Sequence, residues 1–242
     1  MKSKLLILLL LLVSSLNWAQ NAHFWDGIED FDGPTDENPV LAAQIDFYFD
    51  KLVVPLPDSI TLEISRLIEC TKSNTDLRDF ILWHLLEKYR HPEYMSQDQV
   101  FVWIYDQYFS QLEIKDLNET NLAMIREKAE RLRRLALFNM APNVQVNDTL
   151  DLHSVESLNT VLFFYDHDCE VCQQEMHDLD SVCAEHPEII ALKIDLNSDK
   201  EGLEAFYDAY DIETMPLIFV LDRDKCIIAK KIRARQIPLI IQ

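Results

Sequence analysis

The sequence predicts an all-α half followed by an α/β half, in which a mixed sheet is flanked by helices. Three observations carry this expectation. Between residues 38 and 140, apolar side chains recur at helical spacing. After Pro142 the pattern changes to short, unbroken apolar runs alternating with amphipathic ones. Finally, 242 residues with 48% hydrophobic side chains suffice for one large core or two ordinary ones. The expected boundaries are a leader at 1–19, a helical domain at 20–141 and an α/β domain at 142–242.

The leader is read from charge and apolarity. Lys2 and Lys4 precede an unbroken apolar run at 5–13, followed by a polar, small-residue stretch at 14–19. A run this short falls well below the ~20 residues that span a bilayer. It reads as an export signal cleaved after Ala19, and it places the mature chain outside the cytoplasm.

Next come an acidic, irregular stretch with an aromatic start, His23-Phe24-Trp25-Asp26, and then five helices. Ala42, Ile45, Phe49 and Leu52 mark the first, which Pro55 and Pro57 end. The second is expected over about 58–72. A third starts at Asn74 or Thr75, both good N-caps, and ends before Pro92. Ser96 and Gln99 have capping-box spacing for a fourth, through Val100, Trp103, Ile104 and Tyr108. A fifth is expected over about 120–140, with Glu127–Arg131 and Glu130–Arg134 as favourable i,i+4 pairs. His84, His91 and Cys70 are scattered through this half and read as structural residues.

In the second half, residues 161–165 form an apolar strand and 169–186 a helix. A second strand follows at 189–194. Ser198 and Glu201 then open a helix carrying Leu203, Phe206 and Tyr210 on one face. Residues 217–221 form a third strand. A turn at 222–225 leads into a fourth at 226–229.

Composition excludes several functions. Only Gly27, Gly33 and Gly202 occur, so no glycine-rich phosphate loop is present. The formal net charge of −20 argues against nucleic acid, which needs basic patches.

The chemistry points to Cys169-Glu170-Val171-Cys172, directly after a strand and opening a helix. A helix N-terminus offers free N–H groups and partial positive charge, both favouring a thiolate. Cys169 is then the exposed nucleophile, and Cys172, one turn deeper, can resolve a mixed disulfide. Cys172, Met176, Leu179 and Cys183 make one apolar stripe, so Cys183 reads as a core residue, as does Cys226. Asp166, Asp168 and Glu170 crowd Cys169 and disfavour a thiolate, with His167 as a partial offset. A less stabilised thiolate makes a more reducing couple.

Strand, CxxC at a helix start, strand, helix and then Thr214-Met215-Pro216 before another strand together resemble the thioredoxin superfamily. Within it the chain is most similar to exported bacterial TlpA/ResA-like thiol–disulfide oxidoreductases with an all-helical N-terminal domain. The thioredoxin-like resemblance covers about 142–235. The helical half resembles that domain more loosely, through His23-Phe24-Trp25-Asp26 and the Met140-Ala141-Pro142 junction. The resemblance implies that Cys169 attacks and Cys172 resolves. It makes Pro216 the cis-proline and Met215 the residue offering backbone to a substrate chain. It further implies periplasmic location, protein thiols or disulfides as substrates and no bound cofactor, and it leaves room for a membrane-bound electron donor.

The chain departs from the family at four places. Asp168 replaces the aromatic often found before the first Cys. Phe163 stands where thioredoxins bury an acid. Lys225 replaces a turn glycine, and the terminal helix is stunted by Pro238. So short an end is expected to leave a sheet face for the helical half, or a second chain, to cover. Two rivals remain open. A zinc site would need a second Cys pair or a suitable His pair beside the CxxC. A non-catalytic binding protein would use the thioredoxin-like half as a docking scaffold.

Overall fold

The computed structural model describes residues 24–28, 38–71, 74–92, 94–111, 113–147, 150–197 and 203–241. The leader at 1–19, His23 and the Ser198–Glu201 capping box lie outside the described residues. No helix among those described is long and apolar enough to cross a membrane.

The helical half comprises α1 (Pro39–Lys51), α2 (Pro57–Cys70), α3 (Thr75–Lys88), α4 (Asp98–Ile104) and α5 (Glu119–Arg134). Asparagines start three of them. Asn38 accepts from the Val40 and Leu41 amides, Asn74 from Leu77 and Asn118 from Asn121. Each cap satisfies N–H groups that the first helical turn leaves without partners. Proline stands at the first position of α1 and of α2, where its missing N–H costs nothing. Ile45, Tyr48, Ile60, Ile64, Ile81, Leu85, Phe101 and Ile104 build one core. Trp25 joins it, its ring 4.9 Å from that of Tyr48.

Three helical expectations are corrected. The fourth helix starts at Asp98 without the Ser96–Gln99 box: Gln97 is its N-cap and makes no side-chain cap bond. Gln99 instead donates to the Leu132 carbonyl of α5 at 3.0 Å, a tertiary bond that outcompetes the local one. Past Ile104 the helix widens into a π-turn over Tyr105–Phe109. The fifth helix ends at Arg134, not near Met140, because Phe138 takes a left-handed φ of 68° and residues 138–141 turn to pair with 225–227. Of its two charge pairs, Glu127–Arg131 closes at 3.1 Å, while the more exposed Glu130–Arg134 does not.

The second half begins with a small ribbon of β1 (Gln145–Asn147) and β2 (Leu150–Asp151) and a 3₁₀ turn at Leu152–Ser154. Then follow β3 (Asn159–Tyr165), α6 (Glu170–Glu185), β4 (Ile189–Asp195), α7 (Leu203–Ala209), β5 (Leu217–Leu221) and β6 (Ile227–Lys230). The chain ends in a 3₁₀ helix at Ala234–Leu239. The sheet order is β4-β3-β5-β6, with β3 and β4 parallel and the other neighbours antiparallel. This is the mixed sheet flanked by helices that the sequence predicts. β3 and β5 are central and covered on both faces, which is why they read as continuous apolar runs.

Side-chain alternation divides the sheet between two cores. Leu162, Phe164, Leu217, Phe219 and Leu221 face α7, through Phe206 and Tyr210, together with Leu135 and Ala141. Val161, Phe163, Ile218, Val220 and Ala229 face α6, through Leu179 and Val182. The C-terminal segment closes this second face, contrary to the expectation from its length. Ala234 and Ile237 are fully buried there, and the helical half adds only Met95 among the described residues. Pro238 is accommodated because the segment is 3₁₀ and not α-helical, and four short strands leave little area to cover.

The halves are joined instead by buried charge. Lys230 on β6 pairs with Asp98 on α4, both 1% exposed, and also donates to the Leu135 carbonyl at 2.6 Å. Lys128 on α5 pairs with Asp211 at 3.1 Å and Glu213 at 2.7 Å, just ahead of the Thr214-Met215-Pro216 segment.

Candidate active site

The site is built where β3 delivers the chain to α6. Asp166-His167-Asp168 makes the bend, and Cys169 is the N-cap of α6, in extended conformation at φ −90° and ψ 115°. Its Sγ accepts from the Cys172 amide at 3.2 Å. A sulfur in that position is the acceptor for a helix N–H that the first turn leaves without a backbone partner. Cys169 is half-buried, Cys172 fully buried, and the two are unbridged here.

The bend is held by side chains from both sides. Asn197, after β4, donates to Asp166 at 3.2 Å and Asp168 at 3.3 Å. Gln173 donates to the His167 carbonyl at 2.9 Å. His167 Nδ1 lies 2.9 Å from Asp195. That hydrogen bond, reinforced by the charges of Asp195, Asp168 and Asp166, raises the His167 pKa above the ordinary histidine value. The acids that crowd Cys169 therefore favour the cation that offsets them. Burial pushes the Cys172 thiol up to about 11, and the neighbouring Cys169 adds to the effect. Cys172 consequently keeps its proton at neutral pH.

Met215 and Pro216 lead into β5. The bond between them is cis. Both line a cleft of about 350 Å³ together with Val171, the residue between the two cysteines. Met215 is 40% exposed, and its backbone makes no hydrogen bond among the described residues. An extended polypeptide laid beside it can pair with that amide and carbonyl.

The structure thus brings Met215 and Pro216 into one cleft with Val171, the residue between Cys169 and Cys172, while neither cysteine is among the described lining residues. It also adds residues that the sequence reading missed. Glu175 is buried and lines the cleft; it accepts from the Ala234 amide and, at 3.2 Å, from Arg233. Its signal was an acid three residues after Cys172, on the apolar face of the helix. His91, read as a structural residue, and Pro92, read as marking the end of the third helix, also line the cleft. Nothing local to their sequence marks them, because an α3–α4 connection reaches the cleft only through tertiary packing. His84 is held by Asp46 at 3.0 Å, and Cys70 packs against the helical core, both consistent with structural roles. Cys183 packs against the α6-side core as expected, whereas Cys226 precedes β6 and is only partly buried. Phe163 is fully buried where an acid was missing, so no proton-transfer group stands at that position. Among the described residues no three His, Cys, Asp or Glu side chains come together as metal ligands.

No family model matches the chain, and no curated protein does. Solved structures do. A thioredoxin-like protein from Bacteroides caccae is 14% identical and aligns with a TM-score of 0.69 over 91% of this chain and 90% of that chain. A domain of a possible thiol-disulfide isomerase from Cytophaga hutchinsonii is 28% identical, with a TM-score of 0.37 over 43% of this chain and 89% of that one. A thiol:disulfide interchange protein from a Bacteroides species is 16% identical, with a TM-score of 0.36 over 42% and 85%. The fold is therefore thioredoxin-like, and the first of these similarities runs through the helical half as well as the sheet.

Proposed function

We propose that the chain is an exported thiol–disulfide oxidoreductase, acting in the periplasm, that reduces disulfides of protein substrates through Cys169 and Cys172. The observation carrying this reading is the placement of a half-buried Cys169 as the N-cap of α6, with Cys172 buried behind it and Val171 opening onto the Met215–Pro216 cleft. The leader at 1–19 supports export.

The chemistry follows from that placement. The Cys169 thiolate attacks one sulfur of a substrate disulfide, the S–S bond breaks, and the departing substrate sulfur takes up a proton. Cys172 then loses its proton and attacks Cys169 Sγ, releasing the second substrate thiol. The substrate gains two electrons, and the dithiol leaves as a disulfide. A dithiol donor, membrane-bound or soluble, must return those electrons.

Direction is set by the thiolate. Because three acids surround Cys169, the couple is expected nearer thioredoxin, about −270 mV, than a strong oxidant at about −120 mV. Equilibration with glutathione at fixed ratios measures it. A value at the oxidising end reverses the proposed direction and shows that His167 and the α6 N-terminus outweigh the acids.

A second reading, a non-catalytic partner-binding scaffold, is favoured by one feature, the apolar Phe163 in place of an acid. Thiol titration separates the two. A scaffold shows no reversible cycling of the pair.

A further inference from the structure

The cleft lined by Val171, Met215 and Pro216 differs in charge from the rest of the molecule. The whole chain has 42 acidic residues against 22 lysines and arginines. Yet among the described residues the cleft is lined by Lys231, Arg233 and His91, with Glu175 the one acid. That carboxylate is already engaged by Arg233 and the Ala234 amide. The acids that crowd Cys169, namely Asp166, Asp168 and Glu170, are not part of the lining. Charge is thus sorted, negative on the bend and positive in the cleft.

Lys231 is the main element of this sorting. It is half-buried and makes no ion pair among the described residues, despite the excess of acids in the chain. Its φ of 55° is one that lysine adopts at a cost and that asparagine or glycine takes more readily. His91, from the helical half, also lines the cleft, and its ring lies 3.1 Å from Glu213. Glu213 is held in turn by Lys128 at 2.7 Å. This chain of contacts fixes the helical half against the segment that carries Met215.

We infer that this cleft is a subsite for an acidic side chain of the substrate polypeptide, close in sequence to its reactive cysteine, and that the helical half supplies part of its lining. The inference rests on the oxidoreductase reading above. A substrate chain paired with the Met215 backbone projects alternate side chains, and one of them enters the space between Pro216, Lys231 and His91. An acidic group there meets an ammonium that has no ion pair among the described residues, in a partly enclosed cleft. A basic group meets repulsion.

Two sets of three disulfide-linked peptides test this, identical except for Glu, Gln or Lys placed before the cysteine in one set and after it in the other. With the full chain, kcat/KM at one of the two positions is expected to fall in the order Glu, Gln, Lys, by about three- to fivefold per step, as for a partly exposed ion pair. Lys231→Asn suits the backbone and should remove the gap between Glu and Gln, while Lys231→Arg should retain it. Thermal melting of both variants confirms that each is folded. Equal rates at both positions, or a gap that survives Lys231→Asn, overturn the subsite. Failure to reduce any peptide, the Gln peptide included, overturns the oxidoreductase reading itself and the subsite with it.

Discussion

Cys169→Ser is expected to abolish reduction of a model protein disulfide, and Cys172→Ser to leave the protein covalently joined to its substrate. The two outcomes differ because the two sulfurs do different work. Cys169 reaches solvent and accepts the Cys172 amide, so it is the sulfur able to attack. Cys172 is buried and protonated at neutral pH, so it acts only on a mixed disulfide already formed at its neighbour. Non-reducing gels report the trapped species, and insulin reduction reports the lost turnover. Unchanged activity in both variants defeats the proposal. The raised Cys172 pKa adds a pH signature with a definite sign. Below about 11 the Cys172 thiolate is the minor form, so release of the mixed disulfide should speed up about tenfold per pH unit between neutrality and that value. A flat profile over that range means that a nearby base removes the proton, and Glu175 is the buried acid closest in sequence.

The largest stability effect is expected at the charge pair between the halves. Asp98→Ala leaves the Lys230 ammonium 1% exposed, with only the Leu135 carbonyl as acceptor. Burial already lowers the Lys230 pKa, and Asp98 is the principal group opposing that shift. Breaking a buried pair from one side typically costs about 3–5 kcal/mol, whereas replacing both partners by apolar groups is close to neutral. Urea unfolding of the full chain should therefore show a strongly destabilised Asp98→Ala, and a Lys230→Met/Asp98→Leu double variant that recovers most of the loss. Because the pair ties α4 to β6, the single variant should also unfold in two separated steps. A loss below about 1 kcal/mol, the range of exposed pairs, shows that water reaches the pair.

Much of this architecture was legible because it is written locally. Continuous apolar runs gave β3 and β5, and Asn74 gave the start of α3. The cysteine spacing after a strand gave the place of Cys169 at the head of α6. What was not legible depends on distant partners. Gln99 could not be seen to prefer the Leu132 carbonyl over a local cap, since the two meet only when α4 packs on α5. Leu135 and Ala141 continue a helical pattern in sequence yet are buried against the sheet, so periodicity alone placed the end of α5 too late. The C-terminal isoleucines looked too few to close a face because the area of that face is a property of the sheet, not of the segment. His91 and Lys231 lie 140 residues apart, and no spacing rule joins them in one cleft.

The turn of chain between α5 and the sheet has a consequence for self-association. A terminal strand such as β6 exposes a row of amides and carbonyls on which another molecule can add its own strand. Here the start of that row is occupied. The Phe138 amide donates to the Ile227 carbonyl at 2.8 Å, Ala141 to Lys225 at 2.9 Å, and Ile227 to Asn139 at 2.9 Å. On the opposite side β4 is the other edge of the four-stranded sheet. It carries Lys193 at its middle, a charge that an incoming strand would have to accommodate. The linker thus restricts strand addition at the start of β6, and a lysine paired with Asp180 stands on the opposite edge strand.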